Sequence, residues 1–226
     1  MTQRSLTVIA LFIFAGPLVA QDAANSVKVE KAEPPKDLKE GFAALLSDQS
    51  VQVADDKGNV WATFWFRKAI PCKAAPEQVK NGLSYREIPQ TTLIGVVQLA
   101  QPWTDFRKQK IPAGVYTLRQ AVQPMDGDHQ GTAPTSDFCL MIPAAKDEKP
   151  DTMDVKAMQE LSANAPGGTH PGVMLLFAND KPEDAPKLGP KPNKVTVLNL
   201  KLPVDAAGTA TTLGYSITVV GHTMQE

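Results

Sequence analysis

The sequence predicts a mainly β protein, an antiparallel β-sandwich of about eight strands, Greek-key or jelly-roll-like, with two short helices. Apolar and polar residues alternate with period two in segment after segment from Ser50 onward. Turn signals rich in Gly, Pro, Asp and Asn separate those segments. Helical periodicity is confined to two short stretches.

Taken in chain order, the first stretch is DLKEGFAALLSD. Asp37 with Glu40 three residues on makes a capping-box pattern. Leu38, Phe42, Leu45 and Leu46 share one helical face, although Gly41 weakens the helix. Strands 50–55 and 59–68 then meet across Asp56-Lys57-Gly58, a hairpin turn. In the second strand Val60, Ala62, Phe64 and Phe66 lie on one face, opposite Trp61, Thr63, Trp65 and Arg67. Both faces are largely apolar, which predicts a central strand covered on each side. Further strands are predicted over 91–100, 114–122, 137–142, 172–178, 194–202 and 212–223. The alternation is cleanest where Thr196, Leu198, Leu200 and Leu202 oppose Val195, Val197, Asn199 and Lys201. A second helix is predicted over 153–164, with Met153, Ala157, Met158 and Leu161 on one face and Gly167-Gly168 ending it. The Pro- and charge-rich connections after Ile142 and Ala178 read as surface loops. No internal repeat is present.

The N-terminus carries Arg4, an apolar region from Leu6 to Ala15 and a Gly16-Pro17 break, which predicts a secretory signal peptide over 1–20, cleaved after Ala20. Residues 21–36 are charged and poor in large apolar groups, and predict a flexible tether ahead of a single β-sandwich domain over 37–226. Without Arg4 the chain has 22 basic against 24 acidic side chains. That balance provides no electrostatic footprint for nucleic acid or an anionic lipid surface. No later stretch is long enough to span a bilayer. Export leaves the periplasm and full secretion both open. The two cysteines, Cys72 and Cys139, lack CxxC spacing, and in an oxidising compartment they predict a disulfide.

The stretch KIPAGVYTLRQAV sets a turn against a strand. Pro112 fixes φ at the second turn position, and Gly114 supplies the positive φ that ends it. A phosphate-cradling loop needs more glycines, a lysine or a following helix N-terminus, so this is a corner and not a ligand loop. Tyr116 fits a tyrosine corner, with its hydroxyl bonding backbone between Lys108 and Ile111. With SDFCLMIPAAKDE following, the region 91–142 resembles a family of secreted bacterial β-sandwich proteins of no assigned function. In that family a Leu-Pro-Ala-Gly-x-Tyr corner precedes a strand resembling WTVIL, here FCLMI. The resemblance implies a sandwich fold and an exported location, and transfers no catalytic residues. The insert QPMDGDHQGTAPTSD and the helix at 153–164 depart from the family pattern.

Candidate chemistry is sparse. Asp126, Asp128 and His129 lie in one Gly-containing loop, and His170 precedes a strand. Were the loops to meet, they would offer ligands for a divalent metal, although HExxH and a full calcium loop are both missing. No cofactor is otherwise predicted. There is no GxSxG elbow for nucleophilic catalysis. Trp61 and Trp65 stand on one strand face, as a sugar-stacking platform would need, but read better as core. Trp103, in a loop-like stretch, is the better candidate for an exposed ligand-binding aromatic, with Arg107 and Arg119 beside it. The favoured reading is an exported, non-catalytic binding or structural module acting through sandwich-end loops on an exported protein or polysaccharide. The alternative is an extracytoplasmic metal-dependent or carbohydrate-active protein using His129, His170 and nearby acids.

Overall fold

The computed structural model describes residues 24–124 and 133–222. The chain begins with β1 (Ser26–Lys31), α1 (Phe42–Leu45), β2 (Gln49–Ala54), β3 (Val60–Phe66) and β4 (Ile70–Cys72). After α2 (Pro76–Asn81) come β5 (Leu93–Leu99), the short β6 (Trp103–Thr104) and β7 (Lys110–Ile111), β8 (Gly114–Val122) and β9 (Asp137–Pro143). Then follow α3 (Val155–Ser162), β10 (Gly172–Leu175), β11 (Lys187–Lys191), β12 (Val195–Ala206) and β13 (Thr209–Val220). The predicted antiparallel sandwich with few short helices is present, with thirteen strands among the described residues.

The large sheet has the order β1-β2-β3-β5-β8-β9-β10, and the small sheet runs β11-β12-β13 with β4 added to β12. Every pair is antiparallel except β4 with β12. The large sheet is a meander whose later strands are joined by excursions, where the Pro-Ala-Gly corner had pointed to a Greek-key crossover. Between β3 and β5 the chain lends β4 to the small sheet, between β5 and β8 it forms the β6–β7 ribbon, and between β9 and β10 it forms α3. Because side chains alternate, each strand of the large sheet sends one set inward and one outward. Phe64, Val97, Leu118, Met141 and Met174 point inward and meet Leu198, Leu200, Tyr215 and Ile217 of the small sheet in the main core. One flank is nearly closed, since Leu176 bridges Ile217 and the Phe177 N–H donates to Ser216 O at 2.9 Å.

On the outer face, Trp65 packs with Leu46, Val96 and Leu38, and its indole donates to Ala32 O at 2.9 Å. Trp61 is also buried, so both tryptophans of β3 are core. Further along that face, α3 lays Met158, with Met153 and Leu161, on Ala121, Leu140, Ile142 and Val173. Its start is fixed by Asp154, whose carboxylate accepts the Ala157 N–H at 3.0 Å. The predicted hairpin is also present, with the Asp55 carboxylate accepting from the backbone N–H groups of Lys57 and Asn59.

Four expectations are corrected. The predicted helix over 37–48 is a single turn, because Gly41 takes a left-handed φ of 87° and starts α1 only at Phe42. The predicted tether contains β1, which pairs in register from Ser26 with Ala54 to Lys31 with Gln49. Backbone hydrogen bonds carry that strand, and Val27 packs against the core, so its charged side chains did not preclude ordering. Cys72 and Cys139 form no disulfide. They are separate buried thiols on β4 and β9, in different sheets, and Cys139 Sγ sits 2.9 Å from the Tyr215 hydroxyl. Finally, the Tyr116 hydroxyl donates to Pro112 O at 2.8 Å, one residue beyond the expected backbone window. The corner itself is as predicted, with Gly114 at φ 155°.

Among the described residues no helix is long and apolar enough to cross a membrane. The signal peptide predicted over 1–20 lies outside the described residues.

Candidate functional site

Three polar residues of one turn decide where the site forms. Asp105, fully buried, accepts the backbone N–H of Arg107 at 2.9 Å and of Gln109 at 2.8 Å through one carboxylate oxygen. Its other oxygen accepts from the Gln109 side-chain amide at 2.8 Å and from the Val173 N–H of β10 at 3.2 Å. Burial pushes the Asp105 carboxyl above the ordinary carboxylate range, and these N–H donors pull it back. The same Gln109 amide nitrogen also donates to Pro171 O at 2.8 Å. Asp105 and Gln109 therefore stitch the turn carrying Arg107 to the segment carrying His170. Two residues singled out from sequence for different reasons stand on one clamped support.

That support forms one wall of a groove of about 640 Å³ on the outer face of the large sheet. The floor is apolar: Phe106, Ala121, Phe138, Leu140 and Val173. Phe138 is half-buried and offers a ring to a ligand. The opposite wall is the polar side of α3. Lys156, Gln159 and Glu160 line it, and Lys156 stands 3.9 Å from Glu160 in a solvent-exposed pair. Arg107 and His170, both exposed, line the groove as well. A chamber of this size with an apolar floor and a few polar groups on its rim has the makeup of a small-molecule site.

A second hollow, about 380 Å³, opens where β9 begins and β10 ends, lined by Tyr85, Arg86, Asp137, Asn179 and Asp180 among others. Burial raises the Asp137 carboxyl above its ordinary range, against the pull of a Ser136 hydrogen bond and of Arg86. The Tyr85 hydroxyl faces inward, donating to Phe177 O at 2.6 Å and accepting from the Ser216 N–H at 3.0 Å. It is a structural bolt between the sheets, not a reactive group of that hollow.

The remaining site candidates separate. Trp103 is not exposed. It is 1% accessible, and its indole donates to Val219 O at 2.8 Å, anchoring the β6–β7 ribbon to the small sheet. The loop-like texture around it reflected two-residue strands too short to show a period. Arg119 is also fully buried, in a bidentate pair with Asp147 at 2.8 Å to each oxygen. Asp126, Asp128 and His129 lie outside the described residues. Among the described residues no group of three or more His, Cys, Asp or Glu side chains is placed to hold a metal ion. The contributions of Lys156, Phe106 and Phe138 were missed. The signal was available for Phe138, since Phe138, Leu140 and Ile142 alternate against Cys139 and Met141, leaving two apolar faces to cover. No family model matches this chain, and neither the curated proteins nor the solved structures provide a match.

Proposed function

We propose that this protein is a non-catalytic binding module of an exported set, and that its ligand site is the groove beneath α3. The observation that carries the reading is the pairing of an open apolar floor with a rim built on clamped backbone. Phe138 packs against the apolar clusters on both sides of it and still keeps part of its surface accessible, which leaves apolar area for a ligand to cover. The reading moves the site from the sandwich-end loops to the outer face of the large sheet, where the Arg107 and His170 segments meet it. Export rests on the predicted signal peptide and on the resemblance of residues 91–142 to secreted sandwich proteins.

The test is equilibrium titration with the neutral fluorophore N-phenyl-naphthylamine. The expected result is saturable binding to the native chain that Phe138→Glu abolishes, because a carboxylate on the floor must be desolvated by any apolar occupant. Gln159→Phe fills the groove from the α3 wall and serves as a second variant that leaves the sheet untouched. Absence of saturable binding, or binding indifferent to both substitutions, contradicts the proposal.

A further inference from the structure

The electrical asymmetry of the groove narrows the class of ligand. Among the described residues its charged lining groups are Arg107, Lys156 and Glu160, which makes the described rim net positive even with the His170 imidazole neutral. The whole chain is net −1, so this local excess runs against the protein's own balance. Lys156 is not withdrawn by Glu160, because at 3.9 Å and with both side chains mostly exposed the pair is weak and easily exchanged. Asp105, buried in the turn that carries Arg107, has both oxygens occupied by N–H donors of its own turn and of β10. Arg107 presents a planar fork suited to a carboxylate, and its backbone is held in place by Asp105.

Resting on the reading of the groove as a ligand site, we infer that its ligand is a free single-chain aliphatic carboxylate. The chain lies on Phe106, Phe138, Leu140 and Val173, and the carboxylate is held between Arg107 and Lys156, with His170 in reach of the same rim. The floor supplies affinity by removing methylene groups from water, about 0.8 kcal/mol for each buried CH₂. The rim supplies the choice of head group. A cationic amphiphile would place its charge against Arg107 and Lys156, and a neutral one would leave both unpaired.

The test compares decanoate, decanol and decyltrimethylammonium by calorimetry on the native chain, on Arg107→Gln and on Arg107→Gln/Lys156→Gln. Both positions are exposed, so neither substitution touches the core. Decanoate is expected to bind most tightly, and to weaken by about tenfold or more in the double variant, which removes two charge-assisted contacts. Decanol binding should stay unchanged. Equal binding of all three ligands, or decanoate affinity unaffected by the double variant, overturns the inference while leaving the groove a binding site. Binding of none of the three removes the groove reading itself. Retention on phosphatidylglycerol vesicles without binding of free decanoate would also overturn it, by assigning the rim to a membrane head group.

Discussion

Arg119 and Asp147 form an ion pair with no solvent contact, and the pair is stable because nothing in it is left unmatched. All five guanidinium N–H donors are used: two on Asp147, and the others on the carbonyls of Thr91, Asp151 and Lys149. Asp147 also accepts the Thr117 hydroxyl at 2.6 Å. The cluster ties the segment after β9 down onto the sheet, and it holds Thr91 at a positive φ of 70° that a β-branched residue rarely adopts. Asp147→Ala should lower stability by about 3–5 kcal/mol in urea unfolding, since it strands a buried cation. The double change Arg119→Met/Asp147→Leu should recover most of that loss. Equal damage from the single and double variants would show that geometry, not charge pairing, is what the site needs. From sequence Arg119 looked like a surface partner for Trp103. A lone arginine on a strand carries no mark of which face it takes, and its partner lies 28 residues away.

Period-two alternation and apolar runs made eight of the strands readable as elements, because a buried or half-buried strand repeats its pattern over enough residues to be counted. The missed elements are those in which something else overrides that signal. β1 is charged and stands at the edge of the large sheet, β11 lies at the edge of the small sheet in a Lys- and Pro-rich stretch that read as a loop, β4 has three residues, and β6 and β7 have two each. Tertiary contact orders them. Helix α1 failed in the opposite sense, since its capping pattern was present but Gly41 broke it. Glycines within strands mark close approaches that no periodicity reveals. A Cβ at Gly214 of β13 would lie 1.9 Å from the Asn179 carbonyl oxygen, and one at Gly95 of β5 would lie 2.5 Å from Trp65 O. Gly214→Ala is expected to cost about 1–3 kcal/mol or more by forcing the backbone apart. A chemical-denaturation midpoint equal to that of the native chain would refute the close contact.

At the scale of the whole molecule, two sheets share a core dry enough to change the chemistry of what it encloses. Burial raises the Cys72 thiol to about 11 and the Cys139 thiol to about 12, from an ordinary 9.0. Burial also lifts the Tyr215 phenol well above its ordinary value, with the neighbouring Cys139 adding to the effect. In each case the folded state holds its proton more tightly than the unfolded chain does. The stabilisation is therefore complete below the ordinary thiol value and is lost as the pH rises through the folded values. Unfolding midpoints should fall steadily above about pH 9, and a thiol reagent at about pH 8 should label neither cysteine until the chain unfolds. Rapid labelling of the native chain would place a cysteine at the surface. The sandwich itself was legible from alternation and turns. The groove was only half legible, because Arg107 and His170 belong to segments about sixty residues apart that meet through the hydrogen bonds of Gln109.

The most direct measurement of the central claim is a solution NMR titration of the isotope-labelled chain with decanoate. The account predicts saturable shift changes concentrated on the backbone amides of Arg107, Phe138, Lys156, Gln159, His170 and Val173, with β11 to β13 silent. Shift changes confined to the hollow beside Asp137 and Asp180, or none at any concentration, would contradict it.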